Sequence, residues 1–413
     1  MRISRPVSRL RGTTGTLGTG ALITAVGDGA WTTVWVIYLT RIVGLRPGDF
    51  ALGVTVSGIV AILVVTPGGR LADRWGSRRL LMAIVAADAA AAACFGLVRS
   101  LWAFIAVALV FVPAEQTAAA IEDAYILSLH EDERRLRALG IQRTARSIGY
   151  ALGAGVGAIC LAVNSRDAYL AVIALNAASS LAYTGLLRLL PATAPVARAR
   201  EGRSWRVLAD RPYILVVTIV AVLALCWGML STGVPLWVTG HTKAPRYVVG
   251  LLIGLNAAAI AVGQVWFNAR ASTVKSAARM VVLAGLALAG SCLWFAASHY
   301  GSGLRATGLL LAGGIFQTVG ELLFVSALWG LSVALMAPEA PGEYQALATS
   351  ATGAAQVVSP AVMVAVVAAN GLGWTLLGGV FVLVAALILP ATRWAVSTRD
   401  PAASKPQPSA HGA

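Results

Sequence analysis

Apolar runs of about 20 residues recur along nearly the whole of this chain, and a helix of that length crosses the hydrocarbon layer of a bilayer. The runs lack the alternation of polar and apolar residues that a membrane-spanning barrel requires. Hydrophobic residues make up 58% of the sequence and charged residues 12%, which a soluble protein core cannot accommodate. The chain is therefore predicted to be an all-α integral membrane protein.

Hydropathy predicts about twelve membrane helices in two pseudo-symmetric groups of six, separated by a polar stretch with proline and arginine. The predicted division is an N-terminal half (1–190), a cytoplasmic linker (191–211), a C-terminal half (212–393) and a disordered cytoplasmic tail (394–413). The apolar run at 304–335 exceeds one span, so this helix is expected to tilt or to extend beyond the hydrocarbon. The predicted helices are 17–40, 50–67, 80–98, 101–124, 138–163, 168–190, 213–239, 248–268, 278–298, 304–335, 344–369 and 372–393.

Lysine and arginine are distributed unequally between the two sides of this predicted bundle. Of the 32 basic residues, 25 lie in the termini, the linker and the loops on the same side, and Arg146 is counted among them. Because cytoplasmic loops retain positive charge during insertion, both termini are predicted to be cytoplasmic in a multi-pass plasma-membrane protein. The same distribution accounts for the net charge of +15, so the expected charged partner is the lipid bilayer and not a nucleic acid.

Four acidic residues fall inside predicted spans: Asp28 in helix 1, Asp88 in helix 3, Glu115 in helix 4 and Glu321 in helix 10. A charge at this depth is costly and usually survives only where it faces water or a partner. No basic residue is an obvious partner within the same predicted span. Each carboxyl group either exchanges protons during function or holds helices together in protonated or hydrogen-bonded form. The histidines lie in loops or in the tail, so proton chemistry is expected to depend on these acids.

A charged motif lies between predicted helices 2 and 3. It reads Gly69-Arg70-Leu71-Ala72-Asp73-Arg74-Trp75-Gly76-Ser77-Arg78-Arg79. This segment resembles the loop signature of the major facilitator superfamily, G-x-L-A-D-R-x-G-R-R/K-R/K, with Ser77 at one basic position. Together with the two groups of six helices, the resemblance covers essentially the whole chain.

The resemblance implies that this motif is a gate that holds one conformation closed through ion pairs. Asp73 would meet helix 11 across the interface between the halves. Arg78 would meet an acid at the end of helix 4, either Glu122 or Asp123. The other members of the implied gate are Gly69, Arg74, Gly76 and Arg79. Alternatively, the segment only anchors the loop in the cytoplasm by its positive charge.

Glycines in predicted helix 5 form a second, partial signature. Gly140, Gly149, Gly153 and Gly157 have the spacing of the family's antiporter motif, G-x8-G-x3-G-P-x2-G-G. Alanine replaces the proline and the last glycine of that motif. A stripe of small residues is also common in ordinary helix packing, so both interpretations stay open.

The resemblance also implies that helices 1, 4, 7 and 10 line a central cavity, which favours Asp28, Glu115 and Glu321 over Asp88 as functional acids. An apolar and aromatic cavity with a few acids would suit amphipathic or cationic organic compounds. Further cavity candidates on these helices are Trp31, Trp35, Gln116, Trp227, Ser231 and Gln317. Alternatively, each of the aromatic residues packs between helices or belongs to the interfacial aromatic belt.

The expected function is secondary active transport by alternating access, with a proton bound at Asp28 or Glu115 exchanged for efflux of a small amphipathic compound or drug. Such a protein would contribute to drug resistance in a bacterium. The alternatives are uptake or facilitated diffusion of a metabolite, and a non-transporting receptor on the same fold. No catalytic constellation is evident and the four cysteines are isolated, so neither an enzyme nor a cofactor nor a metal site is expected. A monomer is expected.

Overall fold

The computed structural model describes residues 7–129, 133–191, 209–271, 273–336 and 341–398. Within these ranges the chain forms helices and no strands. Twelve helices in the described ranges are long and apolar enough to cross a membrane. The predicted all-α membrane fold with about twelve spans is thus confirmed.

The first six spans are joined by short connections. A π-helical turn, Tyr38–Ile42, extends the first span, and a 3-10 turn, Phe95–Leu97, extends the third. The six helices are α1 (Val7–Ile37), α2 (Pro47–Trp75), α3 (Ser77–Cys94), α4 (Leu101–Leu129), α5 (Glu133–Val163) and α6 (Arg166–Leu187).

The last six spans begin after the predicted linker, most of which (192–208) lies outside the described residues. The long run predicted at 304–335 is one continuous helix, α10, of 32 residues. The last helix continues to Ser397, four residues into the predicted tail. The six helices are α7 (Arg211–His241), α8 (Tyr247–Asn268), α9 (Val274–Ala297), α10 (Gly303–Ala334), α11 (Pro341–Ala368) and α12 (Asn370–Ser397).

Helix α7 is interrupted near its middle. It consists of α-helical pieces at Arg211–Val222, Leu225–Gly228 and Val234–His241, with a π-helix at Met229–Gly233. Irregular backbone at membrane depth is tolerated where it is buried in protein or borders a water-filled cavity. The first condition holds here, because Met229 is fully buried, and the neighbouring Leu230 borders the central cavity described below.

Helices α1 and α5 approach each other through the glycine stripe. A methyl group at Gly149 would collide with the backbone carbonyl of Leu22, and one at Gly153 would collide with that of Val26. A Cβ at Gly157 would lie 2.6 Å from Cβ of Thr33. The stripe therefore packs α5 against the backbone of α1, whereas its part in antiport stays a prediction.

The two halves contact each other through α5 with α8, α2 with α11, and α1 with α7. We call the end of the bundle where α1 begins and α6 ends the linker face, and the opposite end the hairpin face. At the hairpin face, the Arg41 guanidinium donates to the carbonyl of Thr239 at 2.6 Å, which joins α1 to α7. Arg246 donates to the Asn164 side chain, which joins α8 to the end of α5. These contacts connect the halves at the hairpin face.

Replacing Gly153 with Ala is expected to destabilise the protein by about 1 to 3 kcal/mol, because the added methyl group forces α5 away from α1. Gly155→Ala is the matched control, since Gly155 lies on the same helix with open space around it. Thermal unfolding of both variants in detergent measures the effect. Equal melting temperatures for the two variants would contradict the packing described above.

Candidate functional site

A central cavity of about 840 Å³ lies between the two halves. Its walls come from α1 and α5 of the first half and from α7, α8, α10 and α11 of the second. A cavity of this size accommodates a drug-sized organic molecule. The lining residues are Thr32, Thr144, Arg146, Ser147, Tyr150, Trp227, Leu230, Ser231, Ile253, Asn256, Ala257, Ile260, Ala261, Gln264, Asn268, Glu321, Val325 and Gln356.

The cavity extends from the middle of the bundle to the linker face. Asn268, the last residue of α8, and the exposed Thr144 of α5 line its outer part. At the other end, the contacts of Arg41 and Arg246 connect the halves. The structure therefore shows a cavity that reaches the linker face while the halves are joined at the hairpin face.

Glu321 on α10 is the acid on the C-terminal wall of the cavity. Its carboxylate accepts hydrogen bonds from the Trp227 indole at 2.9 Å, from the Asn256 amide at 2.8 Å and from the Gln317 amide at 3.0 Å. Trp227 in turn packs edge-on against Phe324, with ring centroids 5.4 Å apart. Helices α7, α8 and α10 thus orient one carboxylate at the cavity wall.

Some of the residues predicted for this wall line the cavity, and one lies behind it. Trp227, Ser231 and Glu321 line the cavity as the sequence analysis predicted. Gln317 is fully buried behind the wall, where it bonds to Glu321 and to the carbonyl of Cys226. Asn256 on α8 was not predicted, because helix 8 is not among the helices that the resemblance implied line the cavity.

An ion cluster occupies the wall of the N-terminal half. The Arg146 guanidinium of α5 lies 3.6 Å from the carboxylate of Asp28 on α1 and 3.8 Å from that of Glu122 on α4. From the sequence, Arg146 was predicted to be a loop charge and the intramembrane acids were predicted to lack basic partners. That interpretation is wrong, because the basic partner of Asp28 comes from a different helix.

A small recess next to the cavity is lined by the acids of the ion cluster and by two further acids of this half. Asp28, Asp88, Glu115 and Glu122 line it together with Arg146. Asp88 accepts a hydrogen bond from Ser180 at 3.1 Å, while its second oxygen has no partner among the described residues. Helix α3 therefore contributes to this site, although the family architecture had favoured the other acids over Asp88. Among the described residues, no three His, Cys, Asp or Glu side chains form a metal-binding group.

Arg146 borders both the recess and the central cavity, and 37% of its side chain is exposed. By contrast, the Asp28 side chain is only 11% exposed. The guanidinium thus contacts two largely buried acids, Asp28 and Glu122, and also borders the space a solute would occupy. The contacts of Arg146 with Asp28 and Glu122 are longer than ordinary hydrogen bonds. They therefore leave donor positions of the guanidinium open to other groups.

Three predicted cavity residues lie elsewhere. Trp31 is buried in an aromatic core, with its ring centroid 4.8 Å from that of Phe95. Trp35 packs edge-on against Phe50 at 4.9 Å. Gln116 is exposed on α4 and borders neither the cavity nor the recess. The two tryptophans of helix 1 thus pack within the first half instead of facing a solute.

The implied gate is only partly described. The side chains of Asp73, Arg74 and Asp123 and the surroundings of Gly69 lie outside the described part of the chain. Gly76 joins α2 to α3 with a φ of 88°, a conformation that favours glycine. Arg79 is exposed.

Of the two acids that the resemblance offered to Arg78, Glu122 is not in contact with it, and the side chain of Asp123 lies outside the described part of the chain. Arg78 donates to the backbone carbonyl of Leu190 at the end of α6. Glu122 instead accepts a hydrogen bond from the Tyr183 hydroxyl of α6 at 2.6 Å and faces Arg146. Glu122, one of the two acids proposed for the gate, therefore belongs to the ion cluster.

The fold and the cavity between its halves define a membrane transporter. The model of the Major Facilitator Superfamily matches residues 17–319, and the chain belongs to that family. No curated protein matches the sequence significantly.

Solved structures of other transporters share the fold. A mutant of the nucleoside transporter NupG has a TM-score of 0.74 and 15% identity, covering 92% of this chain and 99% of its own. A POT family transporter in complex with 5-aminolevulinic acid has a TM-score of 0.74 and 13% identity, covering 93% and 96%. A bacterial homologue of the iron transporter ferroportin has a TM-score of 0.65 and 17% identity, covering 93% and 99%. These likenesses show the fold alone.

Replacing Arg146 with Gln removes the cation that contacts both Asp28 and Glu122, so the protein is expected to lose stability. Adding Asp28→Asn should then raise the melting temperature, because one of the two like charges is removed. The coupling between the two substitutions should reach about 1 kcal/mol, since Arg146 is partly exposed. Thermal unfolding of the four forms in detergent gives this value.

The control is Arg305→Gln, which removes an exposed arginine from the hairpin face and should not change the response to Asp28→Asn. If Asp28→Asn lowers the melting temperature equally with and without Arg146, the pairing of these side chains is refuted.

Proposed function

We propose that the protein exports a small amphipathic organic compound in exchange for protons, and that the cluster around Arg146 is where protons act. The observation that carries this proposal is the position of Arg146. It pairs with Asp28 and Glu122 in the recess and is exposed to the central cavity.

Among the described residues, the cluster has an excess of acid over base. Four carboxyl groups share one described guanidinium, Arg146; Asp88 and Glu122 are buried, whereas Glu115 is exposed. Like charges held close together in low dielectric oppose one another, so the group favours binding of protons by some of its members. Asp88 and Glu115 are the acids without a described ion pair, whereas Asp28 and Glu122 contact Arg146 and are the acids whose protonation would change that contact.

Protonation of Asp28 or Glu122 would weaken the contact with Arg146. Since Asp28 is on α1, Glu122 on α4 and Arg146 on α5, this change alters how three helices of one half are tied together. Alternating access requires that the halves rearrange around the cavity. A proton bound in the recess can therefore bias which end of the cavity is open.

Export requires a cavity that can open to the cytoplasm. We place the linker face in the cytoplasm of the plasma membrane, on the basis of the Lys and Arg distribution. The cavity then opens to the cytoplasm, where an exporter loads its solute and an importer releases it. We further propose that a monomer is sufficient, because the cavity is lined by one chain.

Uptake is the second candidate, and the exposure of Arg146 favours it. An anionic solute that paired with Arg146 would release Asp28 and Glu122 to take protons, so solute and proton would move in the same direction. Export by exchange requires the opposite relation, in which solute and proton bind alternately.

Cells that express the wild-type protein should accumulate less of at least one labelled amphipathic drug than cells without it. A protonophore should abolish the difference, because it removes the driving gradient. Asp28→Asn should do the same, since an amide cannot exchange the proton. Drug accumulation over a panel of compounds, with and without protonophore, measures both effects.

Asp167→Asn is the matched control, because Asp167 is an exposed acid in the first turn of α6, away from the recess. It should transport like wild type. Export that survives in the Asp28→Asn variant would contradict the role of this acid. Accumulation of solute in energised cells would instead indicate uptake.

A further inference from the structure

The described lining of the central cavity contains two charged side chains of opposite sign. Arg146 lies on the wall of the N-terminal half, and Glu321 lies on the wall of the C-terminal half. The other described lining residues are neutral. A solute in this cavity thus meets one positive and one negative group, each from a different half.

Neighbouring side chains orient each of these two charged groups at the cavity wall. Hydrogen bonds from Trp227, Asn256 and Gln317 orient the Glu321 carboxylate. The ion cluster orients Arg146, whose guanidinium carries more donors than its two loose contacts use. A carboxylate pairs well with a guanidinium, and an ammonium group pairs well with a carboxylate next to an indole ring.

A solute with a single charge does not fit both walls. An organic cation would pair with Glu321 but share the cavity with Arg146, and an organic anion would meet the reverse arrangement. A molecule that carries one charge of each sign can pair with both groups and leave neither one uncompensated. Apolar side chains between them, such as Leu230, Ile253 and Val325, would contact an apolar body.

We propose that the solute is an amphipathic zwitterion whose anionic group binds Arg146 and whose cationic group binds Glu321. This inference rests on the proposed transport function and names the substrate class of the same cavity. Such a solute spans the gap between the halves. It would draw the two walls together at the linker face, as closure of the cavity from that side requires, and it would use the donor positions of Arg146 that Asp28 and Glu122 leave open.

Equilibrium binding to the purified full chain in detergent tests the proposal without any proton gradient. The probes are three matched sets built on an aromatic amino acid, an aromatic dipeptide and an aminoalkyl benzoic acid. Each set contains the zwitterion, its methyl ester, which is only cationic, and its N-acetyl form, which is only anionic. In at least one set, the zwitterion should bind about tenfold more tightly than either single-charge form.

Variants assign the two charges to the two walls. Glu321→Gln should remove the advantage of the zwitterion over its N-acetyl form, and Arg146→Gln should remove its advantage over the ester. Asp167→Asn and Arg305→Gln are the matched controls and should leave both advantages unchanged, because these side chains are exposed and outside the cavity.

The proposal is overturned if no set shows a preference for the zwitterion, including the case in which no probe binds. It is also overturned if the zwitterion keeps its advantage over the N-acetyl form in Glu321→Gln and its advantage over the ester in Arg146→Gln. Because binding is measured without a gradient, a zwitterion preference combined with protonophore-insensitive transport would refute only the proton coupling. Proton-coupled export of single-charge compounds without this preference would refute only the substrate class.

Discussion

The close approach of α1 and α5 is the constraint on which the candidate site depends. Gly149 and Gly153 allow the backbone of α5 to lie against that of α1, and this brings Arg146 within reach of Asp28. A guanidinium at this depth requires acidic partners, and the acids require the guanidinium, because an unpaired charge in low dielectric is costly. Helix packing and charge pairing therefore stabilise each other, and Glu122 extends the arrangement to α4.

The number and length of the helices could be predicted because the bilayer imposes both on any chain that spans it. The contents of the site could only partly be predicted. Hydropathy does not give the rotation of each helix, so Trp31 and Trp35 were assigned to the cavity although they lie in the aromatic core. Arg146 was missed because it sits near the start of its span, where basic residues usually mark a loop, although it fell within the predicted helix 138–163.

In the proposed mechanism, the two halves of the protein contribute different groups to the cavity. The N-terminal half holds the acids and the arginine that would respond to protons, and the C-terminal half holds one oriented carboxylate, Glu321. Solved structures of similar fold include a nucleoside transporter, a POT family transporter in complex with a conjugated peptide and a bacterial homologue of the iron transporter ferroportin, so the fold itself does not determine the solute. In this account, the solute is selected by the charges of the walls, and its movement is coupled to protons through Arg146.

Proton movement driven by the solute tests the central claim most directly. The purified protein is reconstituted into liposomes, a gradient of a compound that the protein exports from cells is imposed, and the internal pH is followed with a dye. The account predicts that protons move opposite to the solute in wild type and in Asp167→Asn, and that no proton movement accompanies the solute in Asp28→Asn. Protons that move with the solute, or an unchanged internal pH during wild-type transport, would contradict it.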